Sequence, residues 1–235
     1  MSTSDNVFGR DDLRDKTAVF RDRGHAGQCL SGMLKDYRGA NALVLAIPSG
    51  GIPVAASMAA ALELPLDVIA VSKMTLPRSA EVGYGAIAFD SSMILNLPLI
   101  RAEGLTEVDI RHGVDQTKKK VRRRMIRLRG SLQLPNLAGR HVFLVDDGLA
   151  SGFTMLTAIE SVRRLGPASV MVAVPTGHST AVMDVARRAD RVYCANIRNG
   201  EGFSVAAAYV IWRDILEIEA AQILTQFNAG LLGAH

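Results

Sequence analysis

The chain has 235 residues, of which 49% are hydrophobic and 21% charged, and its formal net charge is +4. This composition predicts one ordinary globular domain with a substantial core. No run approaches the roughly 18 consecutive apolar residues of a membrane-spanning helix, and the polar start at Met1–Asp5 lacks the apolar core of a secretory signal. We therefore expect a cytoplasmic protein without a membrane partner.

Apolar runs alternate with segments of helical periodicity along the chain. A polar segment over residues 1–17 comes first, then a domain over residues 18–209, and then a tail over residues 210–235 that is expected to be helical and to pack on the domain. Strands are predicted at Leu43–Ile47, Asp67–Val71, His141–Val145, Ser169–Val174 and Arg191–Cys194, with a hairpin formed by Tyr84–Phe89 and Met93–Asn96. Helices are predicted at Arg23–Tyr37, Ile52–Leu62, 106–129, 154–165 and 179–188. This alternation predicts an α/β fold with a mostly parallel sheet and helices on both faces.

The predicted helix over residues 106–129 concentrates the basic charge. Thr106 and Asp109 have the spacing of an N-terminal capping box. Eight lysine and arginine residues fall within residues 118–129, so the remainder of the chain carries about −4. An apolar face runs along the same helix through Ile110, Val114, Val121, Met125 and Leu128. We expect this face to be buried in packing or at a subunit seam, with nucleic acid only a weak partner; a solvated basic face and a phosphate-rich ligand stay open.

Residues 142–154 carry the pattern that is most informative about function. Four apolar residues are followed by Asp146 and Asp147, and Ser151-Gly152-Phe153-Thr154 then leads into a predicted helix. A helix N-terminus offers unpaired backbone amides and a positive dipole end to an anion, and the two hydroxyls add donors. The acids would repel a phosphate and so suit sugar hydroxyls or a hydrated divalent cation. The pattern predicts a phosphorylated sugar as ligand; the alternative is an ordinary strand-turn-helix in which Ser151 and Thr154 cap the helix.

This segment resembles the 5-phosphoribosyl-1-pyrophosphate (PRPP) signature of type I phosphoribosyltransferases, in which an apolar strand, two acids, three residues and Thr/Ser-Gly-x-Thr follow one another. The resemblance extends over roughly residues 18–209 to a set of uncharacterised phosphoribosyltransferase-domain proteins. It rests on the segments Phe20–Gly27, Pro48–Pro53, Ser72–Lys73, Gly83–Ala88 and Val172–Pro175. It implies a PRTase-like, Rossmann-like fold with a small variable hood, and a homodimer, which is common among type I transferases.

The resemblance also implies which residues hold PRPP. Asp146 and Asp147 would be catalytic residues that hold the ribose hydroxyls, directly or through Mg2+, the expected cofactor. The 5-phosphate would be bound by backbone amides and hydroxyls of Ala150, Ser151, Gly152, Phe153 and Thr154.

Two further segments would meet the pyrophosphate that leaves. Ser49, Gly50 and Gly51 correspond to the pyrophosphate loop, although the family usually carries Arg or Lys where this chain has Ser49. Residues 74–83 have the composition of a flexible lid. Lys73 and Arg78 would then be catalytic cations, with Lys73 also binding pyrophosphate, because they stabilise the charge that builds on the leaving group.

The implied reaction is displacement of pyrophosphate from C1 of PRPP by a nitrogen of a small-molecule acceptor, expected to be a nucleobase-like compound. Family members that act on 6-oxopurines carry an acid at the place of Ala150, so this subclass is disfavoured, whereas adenine-, orotate- and uracil-type acceptors stay open.

Two other function classes are also considered. A PRPP- or nucleotide-sensing regulator that kept the fold without turnover is favoured by Ser49 and by the basic helix. A hydrolase or phosphatase with Asp146 and Asp147 as metal ligands would leave the Ser-Gly-x-Thr pattern unexplained.

Overall fold

The computed structural model describes residues 5–232, apart from the side chains at positions 80, 81, 231 and 232. Its strands are β1 (Val7–Phe8), β2 (Ala42–Ala46), β3 (Leu66–Val68), β4 (Val71–Leu76), β5 (Ser79–Ala88), β6 (Met93–Leu95), β7 (His141–Val145), β8 (Ser169–His178) and β9 (Arg191–Arg198). Its helices are α1 (Arg23–Met33), α2 (Gly51–Leu62), α3 (Leu97–Ala102), α4 (Glu107–Arg129), α5 (Phe153–Arg163), α6 (Ser179–Ala186) and α7 (Glu217–Leu232).

Six strands form the main sheet in the order β1-β9-β8-β7-β2-β3, and each neighbouring pair is parallel. The carboxyl ends of these strands therefore meet at one edge of the sheet. Ala46 of β2 is paired with Val145 of β7, so the segments that follow these two strands leave the sheet side by side. In open α/β sheets this edge is where ligands bind. The predicted α/β fold with a mostly parallel sheet is confirmed.

A hydrophobic core covers each face of the sheet, as the uninterrupted apolar strands predict. One core packs α1, α2 and α7 against alternate strand residues such as Val44, Phe143 and Ala173. The other packs α5 and α6 against the intervening residues, such as Leu45, Leu144 and Val172. The two cores hold the strand ends rigidly at the edge where the candidate site lies.

A second sheet consists of the antiparallel strands β4, β5 and β6, is separate from the main sheet, and is called the hood below. The strand predicted at Asp67–Val71 is divided between β3 in the main sheet and β4 in the hood. The flexible loop predicted at residues 74–83 is wrong as secondary structure, because most of it belongs to β4 and β5. Leu76 pairs with Ser79, so only Pro77 and Arg78 form the turn, and the pairing register shifts on either side of Thr75.

Helix α4 begins with the predicted capping box, since the Thr106 side chain accepts from the Asp109 N–H and the Asp109 side chain accepts from the Thr106 N–H. Its apolar face is buried within the chain itself. Val121 and Met125 pack against Ile87 of the hood and against Ala70, which lies between β3 and β4. Ile110, Val114 and Leu128 are partly buried in neighbouring clusters. The subunit seam expected along this face is therefore wrong, because the hood covers it.

The two ends of the described chain also join the domain. Val7 and Phe8, within the polar segment over residues 1–17, pair in parallel with Val192 and Tyr193 of β9. At the other end, α7 packs mainly against α2 and α4. No helix among residues 5–232 combines the length and apolarity needed to cross a lipid bilayer.

Candidate active site

The PRPP-like segment lies at the junction of β7 and α5. β7 ends at Val145 in the middle of the main sheet, and Asp146 and Asp147 follow it at the carboxyl edge. The next residues run beside the end of β8. There the Leu149 N–H donates to the Thr176 carbonyl at 2.9 Å, and the Leu149 carbonyl accepts from the His178 N–H at 2.9 Å. Sheet pairing therefore extends past β7 and fixes the loop that carries the acids.

The first turn of α5 is open to an anion. Gly152 is the N-cap residue, with φ 77° in the left-handed region that favours glycine. No side chain caps this helix, and the hydroxyls of Ser151 and Thr154 make no hydrogen bond within the described part of the chain. The alternative interpretation of these two residues as helix caps is therefore wrong. Unpaired amides, two available hydroxyls and the positive dipole end lie together, which is the arrangement that binds phosphate.

One cavity of about 150 Å³ joins the acids to this helix start. A cavity needs only roughly 10–15 Å³ to hold one water, so this cavity admits a larger ligand. It is lined by Lys73, Asp146, Asp147, Gly148, Leu149, Ala150, Ser151, Gly152, Thr154, Met155 and Val205. The structure thus brings together both acids, Lys73 and four of the five predicted phosphate-binding residues. The fifth, Phe153, begins α5, and its side chain packs into the core beneath the loop.

The two acids interact strongly with each other. Burial raises the pKa of Asp146 well above its ordinary value, and the charge of Asp147 raises it further. The Asp147 N–H, which donates to Asp146 Oδ1 at 2.8 Å, and the charge of Lys73 oppose this rise. Burial also raises the pKa of Asp147, against the lowering effect of Arg23. A cationic group or a set of hydroxyl donors in the cavity would therefore relieve an unfavourable concentration of negative charge.

Arg23 is a buried partner of Asp147 to which the sequence pattern assigns no role. Its Nε and Nη2 lie 2.9 and 2.8 Å from Asp147 Oδ2, and the residue is 6% exposed. The third guanidinium nitrogen, Nη1, donates to the Arg213 carbonyl at 2.8 Å. Arg23 stands on the first turn of α1 and belongs to the Phe20–Gly27 segment, which was the only sequence signal for it. Arg23 therefore holds Oδ2 of the Asp147 carboxylate in place and makes neither of these two contacts to Oδ1.

Two aromatic residues of the C-terminal segment complete this corner. The Arg23 guanidinium lies 3.9 Å from the centroid of the Trp212 ring, a cation–π contact. The Tyr209 hydroxyl donates to the Asp147 carbonyl at 2.7 Å, and burial raises the pKa of Tyr209 so that it stays a donor. The sequence pattern did not predict that Tyr209 or Trp212 lies at the site.

The predicted pyrophosphate loop lies directly against the acids. It connects β2 to α2, and a Cβ atom at Gly50 would stand 2.0 Å from Asp147 Oδ2, so only glycine permits this approach. Gly51 begins α2, the Ser49 carbonyl accepts from the Ile52 N–H at 3.2 Å, and the Pro48–Ser49 peptide bond is cis. Ser49, Gly50 and Gly51 do not line the 150 Å³ cavity but border it at Asp147.

The two predicted hood cations have different positions. Lys73 projects from β4 and lines the cavity, and within the described residues it forms no ion pair. Arg78 is exposed in the turn between β4 and β5 and is not among the residues that line the cavity. The structure therefore places Lys73, and not Arg78, beside the acids.

The carboxylate pair suits a divalent cation that is shared with a ligand. Carboxylate oxygens suit Mg2+, which keeps several waters and is usually held by one or two carboxylates together with substrate oxygens. Among the described residues no three His, Cys, Asp or Glu side chains are grouped as metal ligands. Asp146 and Asp147 together fit a hydrated Mg2+ that is shared with a phosphorylated substrate, not one held by the protein alone.

Comparison with known families and structures gives a consistent result. The family described as "Phosphoribosyl transferase domain" matches residues 23–208. Two curated relatives, "Putative phosphoribosyl transferase MT0597" of Mycobacterium tuberculosis strain CDC 1551 / Oshkosh and "Putative phosphoribosyl transferase Rv0571c" of strain ATCC 25618 / H37Rv, are each 37% identical over 180 residues. The match covers 75% of this chain and 40% of each relative, so the chain spans about two fifths of their length.

A solved structure resembles most of the chain. The crystal structure of TT1426 from Thermus thermophilus is 31% identical, with a TM-score of 0.70. The likeness covers 88% of this chain and 98% of TT1426.

Proposed function

Because the chain belongs to the phosphoribosyl transferase domain family, we propose that it transfers the 5-phosphoribosyl group of PRPP to a nitrogen of a small, nucleobase-like acceptor. The bond between C1 of the ribose and the pyrophosphate oxygen breaks, and a bond forms between C1 and the acceptor nitrogen. The acceptor nitrogen loses its proton, and pyrophosphate is the second product.

The start of α5 binds the 5-phosphate in this proposal. Backbone amides of residues 150–154 and the hydroxyls of Ser151 and Thr154 are its donors. The two hydroxyls have no competing partner within the described chain, and no side chain caps the helix, which supports this role. A ligand phosphate would supply the negative charge that the positive end of the helix dipole favours.

Asp146 and Asp147 hold the ribose 2′ and 3′ hydroxyls. Arg23 and Tyr209 act as positioning residues, because both contact Asp147 on the side occupied by protein. Asp146 and Asp147 would hold a Mg2+ ion, which would supply positive charge to the pyrophosphate oxygens. The fixed orientation of the carboxylates places the anomeric carbon without reorganisation at the moment of reaction.

Lys73 stabilises the pyrophosphate as it leaves. As the C1–O bond lengthens, positive charge develops on the sugar ring and negative charge on the leaving group, and a preplaced ammonium group lowers the energy of this transition state. Lys73 lines the cavity without an ion-pair partner in the described chain, which supports the role. Arg78, in the turn of the hood, would contribute only if the hairpin closes over the cavity.

The proposal rests on a single observation: one cavity contains a carboxylate pair, an uncapped helix start and a lysine. The test is incubation of the protein with PRPP, Mg2+ and a panel of nucleobases, with pyrophosphate as the measured product. Release of pyrophosphate that depends on one acceptor supports the transferase. Adenine, orotate and uracil head the panel, because the neutral Ala150 disfavours 6-oxopurines.

A PRPP-sensing regulator is the second candidate, favoured by the uncharged Ser49 in the pyrophosphate loop. A sensor would bind PRPP at the same cavity and release no pyrophosphate with any acceptor. Calorimetric PRPP binding without turnover across the panel would select the regulator over the enzyme.

We also propose a homodimer, as is common among type I transferases. The apolar face of α4 is not available for it, since the hood covers that face. Sedimentation equilibrium of the purified protein tests the assembly, and a monomer across the micromolar range would contradict it.

A further inference from the structure

Ser49 leaves the pyrophosphate loop without a charged side chain, yet a cation lies against the same loop from another part of the chain. Arg124 of α4 places Nη1 at 3.5 Å from the Pro48 carbonyl oxygen, one residue before Ser49. At Gly50 the loop approaches Asp147. The loop therefore lies in contact with Arg124 at one end and with the acids at the other.

Helix α4 is held firmly at this point. Met125, next to Arg124, packs in the core beneath the hood, and its Sδ accepts from the Ala70 N–H at 3.3 Å. Three residues after Ala70, β4 carries Lys73 into the cavity. The position of Arg124 relative to the Pro48 loop is thus set by core packing and not by a mobile surface helix.

The positive charge around Arg124 is only partly neutralised. Its Nε is buried and has no hydrogen-bond partner in the described part of the chain, and its ion-pair partner Glu217 places Oε1 3.6 Å away. Glu217 is shared with Arg127, whose Nη1 lies 3.1 Å from Oε2. One carboxylate therefore serves two guanidinium groups, and a buried donor stays unsatisfied, which is unfavourable unless a ligand meets it.

Lys120 stands one turn before Arg124 on the same side of α4. Partial burial lowers its pKa, and the charges of Arg124 and Arg123 lower it further, against the opposing effect of Glu217. Like charges are thus crowded here beyond what Glu217 balances. An anion would reverse this effect and stabilise both cations.

We propose that Lys120 and Arg124 supply from α4 the positive charge that Ser49 does not provide, and that they bind the diphosphate group of PRPP at the Pro48–Gly51 loop. The identity of the ligand rests on the proposed function, whereas the positions of Lys120, Arg124 and the loop do not depend on it. The inference assigns the basic residues on the Arg124 side of α4 to the site, whereas those on other sides of the helix, such as Lys119, stay outside it. It also removes the main sequence argument for an inactive sensor, since the loop then has its cations from another element.

The experiment is calorimetric titration of inorganic pyrophosphate and, separately, ribose 5-phosphate into the full chain. The variants are Lys120→Gln, Arg124→Gln and Arg124→Lys, and Lys119→Gln is the control with the same loss of charge on a different side of the same helix. Titrations at about 0.15 M salt limit long-range charge effects to roughly 8 Å. The melting temperature of each variant shows whether it is folded.

We expect the Kd for pyrophosphate to rise at least about five-fold in Lys120→Gln and Arg124→Gln, because each loses a charged contact to the ligand. Arg124→Lys should retain part of the affinity, Lys119→Gln should match the wild type, and ribose 5-phosphate should bind equally to all.

Wild-type pyrophosphate affinity in both Lys120→Gln and Arg124→Gln would overturn the inference, as would an equal loss in Lys119→Gln. These outcomes leave the proposed function standing as long as ribose 5-phosphate binds. Failure of the wild-type protein to bind ribose 5-phosphate would instead reject the proposed function itself.

Discussion

The Arg23 guanidinium binds Asp147 through Nε and Nη2, which lie 2.9 and 2.8 Å from the same carboxylate oxygen, Oδ2. The two residues are 124 positions apart in sequence. The contact joins the start of α1 to the end of β7, and Trp212 covers the guanidinium. One oxygen of Asp147 is therefore bound by the protein, which fixes the orientation of the carboxylate.

Replacing Arg23 should shift the pH dependence of PRPP binding. Burial raises the pKa of Asp147 and Arg23 opposes the rise, so in Arg23→Gln the pKa should be higher still. Since binding in this account requires the ionised acid, the acidic limb of the affinity profile should move to higher pH. Calorimetry of PRPP with Mg2+ across the range of about pH 5 to 8 measures this shift, and Arg23→Lys should restore part of it.

Arg23→Gln also leaves a buried carboxylate without its partner, which should destabilise the fold by roughly 3–5 kcal/mol at neutral pH. Arg21→Gln is the matched control, because Arg21 is exposed and pairs with Asp22. A profile for folded Arg23→Gln that superimposes on the wild type would show that Arg23 is not a positioning residue.

Asp146 should lower the stability of the ligand-free protein. Its pKa is raised in the folded state by burial and by Asp147, so the folded state holds more protons than the unfolded state between the ordinary and the raised pKa. The free energy of unfolding therefore falls as pH rises through this window. Asp146→Asn should raise the melting temperature at pH 7 and flatten its dependence on pH, while weakening PRPP binding.

Thermal unfolding at about pH 5 and pH 7 measures both effects. Asp36→Asn, at an exposed carboxylate, should leave the melting temperature unchanged. A lower melting temperature of Asp146→Asn at pH 7 would mean that Asp146 stabilises the fold through the hydrogen bond from Asp147 and is not held at a cost.

The PRPP-like segment could be predicted from sequence because its parts are local. Val142 to Thr154 follow one another along strand, loop and helix, so the order of residues fixes the order of groups in space. Arg23 could not be placed in this way, since only the tertiary fold brings α1 to Asp147. The same limit applies to the apolar face of α4. Its periodicity predicts that the face is buried, but not whether the hood or a second subunit covers it. The composition of residues 74–83 is typical of a loop because of Pro77 and Gly83, although only two residues form a turn.

The tip of the hood hairpin should be the least protected part of the site without ligand. The β4–β5 pairing shifts register on both sides of Thr75, which weakens the ladder near the turn. Backbone amides over residues 75–83 should exchange quickly in the free protein and slow down when PRPP binds. Hydrogen exchange with mass spectrometry measures this, with the buried strand β7 as internal reference. Strong protection of these amides before ligand is added would contradict the proposed closure of the hairpin over the cavity.

Nucleic acid should bind weakly, although α4 is basic. Its apolar face is buried in the chain, and its outer face offers the exposed side chains of Lys118, Lys119 and Arg122. Counterion release gives such a surface nonspecific affinity at low salt, so the binding assay belongs near physiological ionic strength. Sub-micromolar, sequence-selective binding that is lost when these three residues become alanine would favour the regulator.

The central claim is that one cavity binds PRPP through two separate groups. The acids hold the ribose, and the start of α5 holds the 5-phosphate. Calorimetric titration of PRPP with Mg2+, and of inorganic phosphate, into wild type, Asp147→Asn and Thr154→Val tests it most directly. Thr154→Val removes a donor to a charged group and should weaken both ligands by roughly 1.5–3 kcal/mol. Thr225→Val, on the exposed side of α7, is the control for the same substitution.

Asp147→Asn should weaken PRPP binding strongly and phosphate binding little, because the acid contacts the sugar side and not the phosphate. This separation of effects is the predicted result. Equal losses of both ligands in Asp147→Asn, or unchanged phosphate affinity in Thr154→Val, would contradict the division of roles on which the account depends.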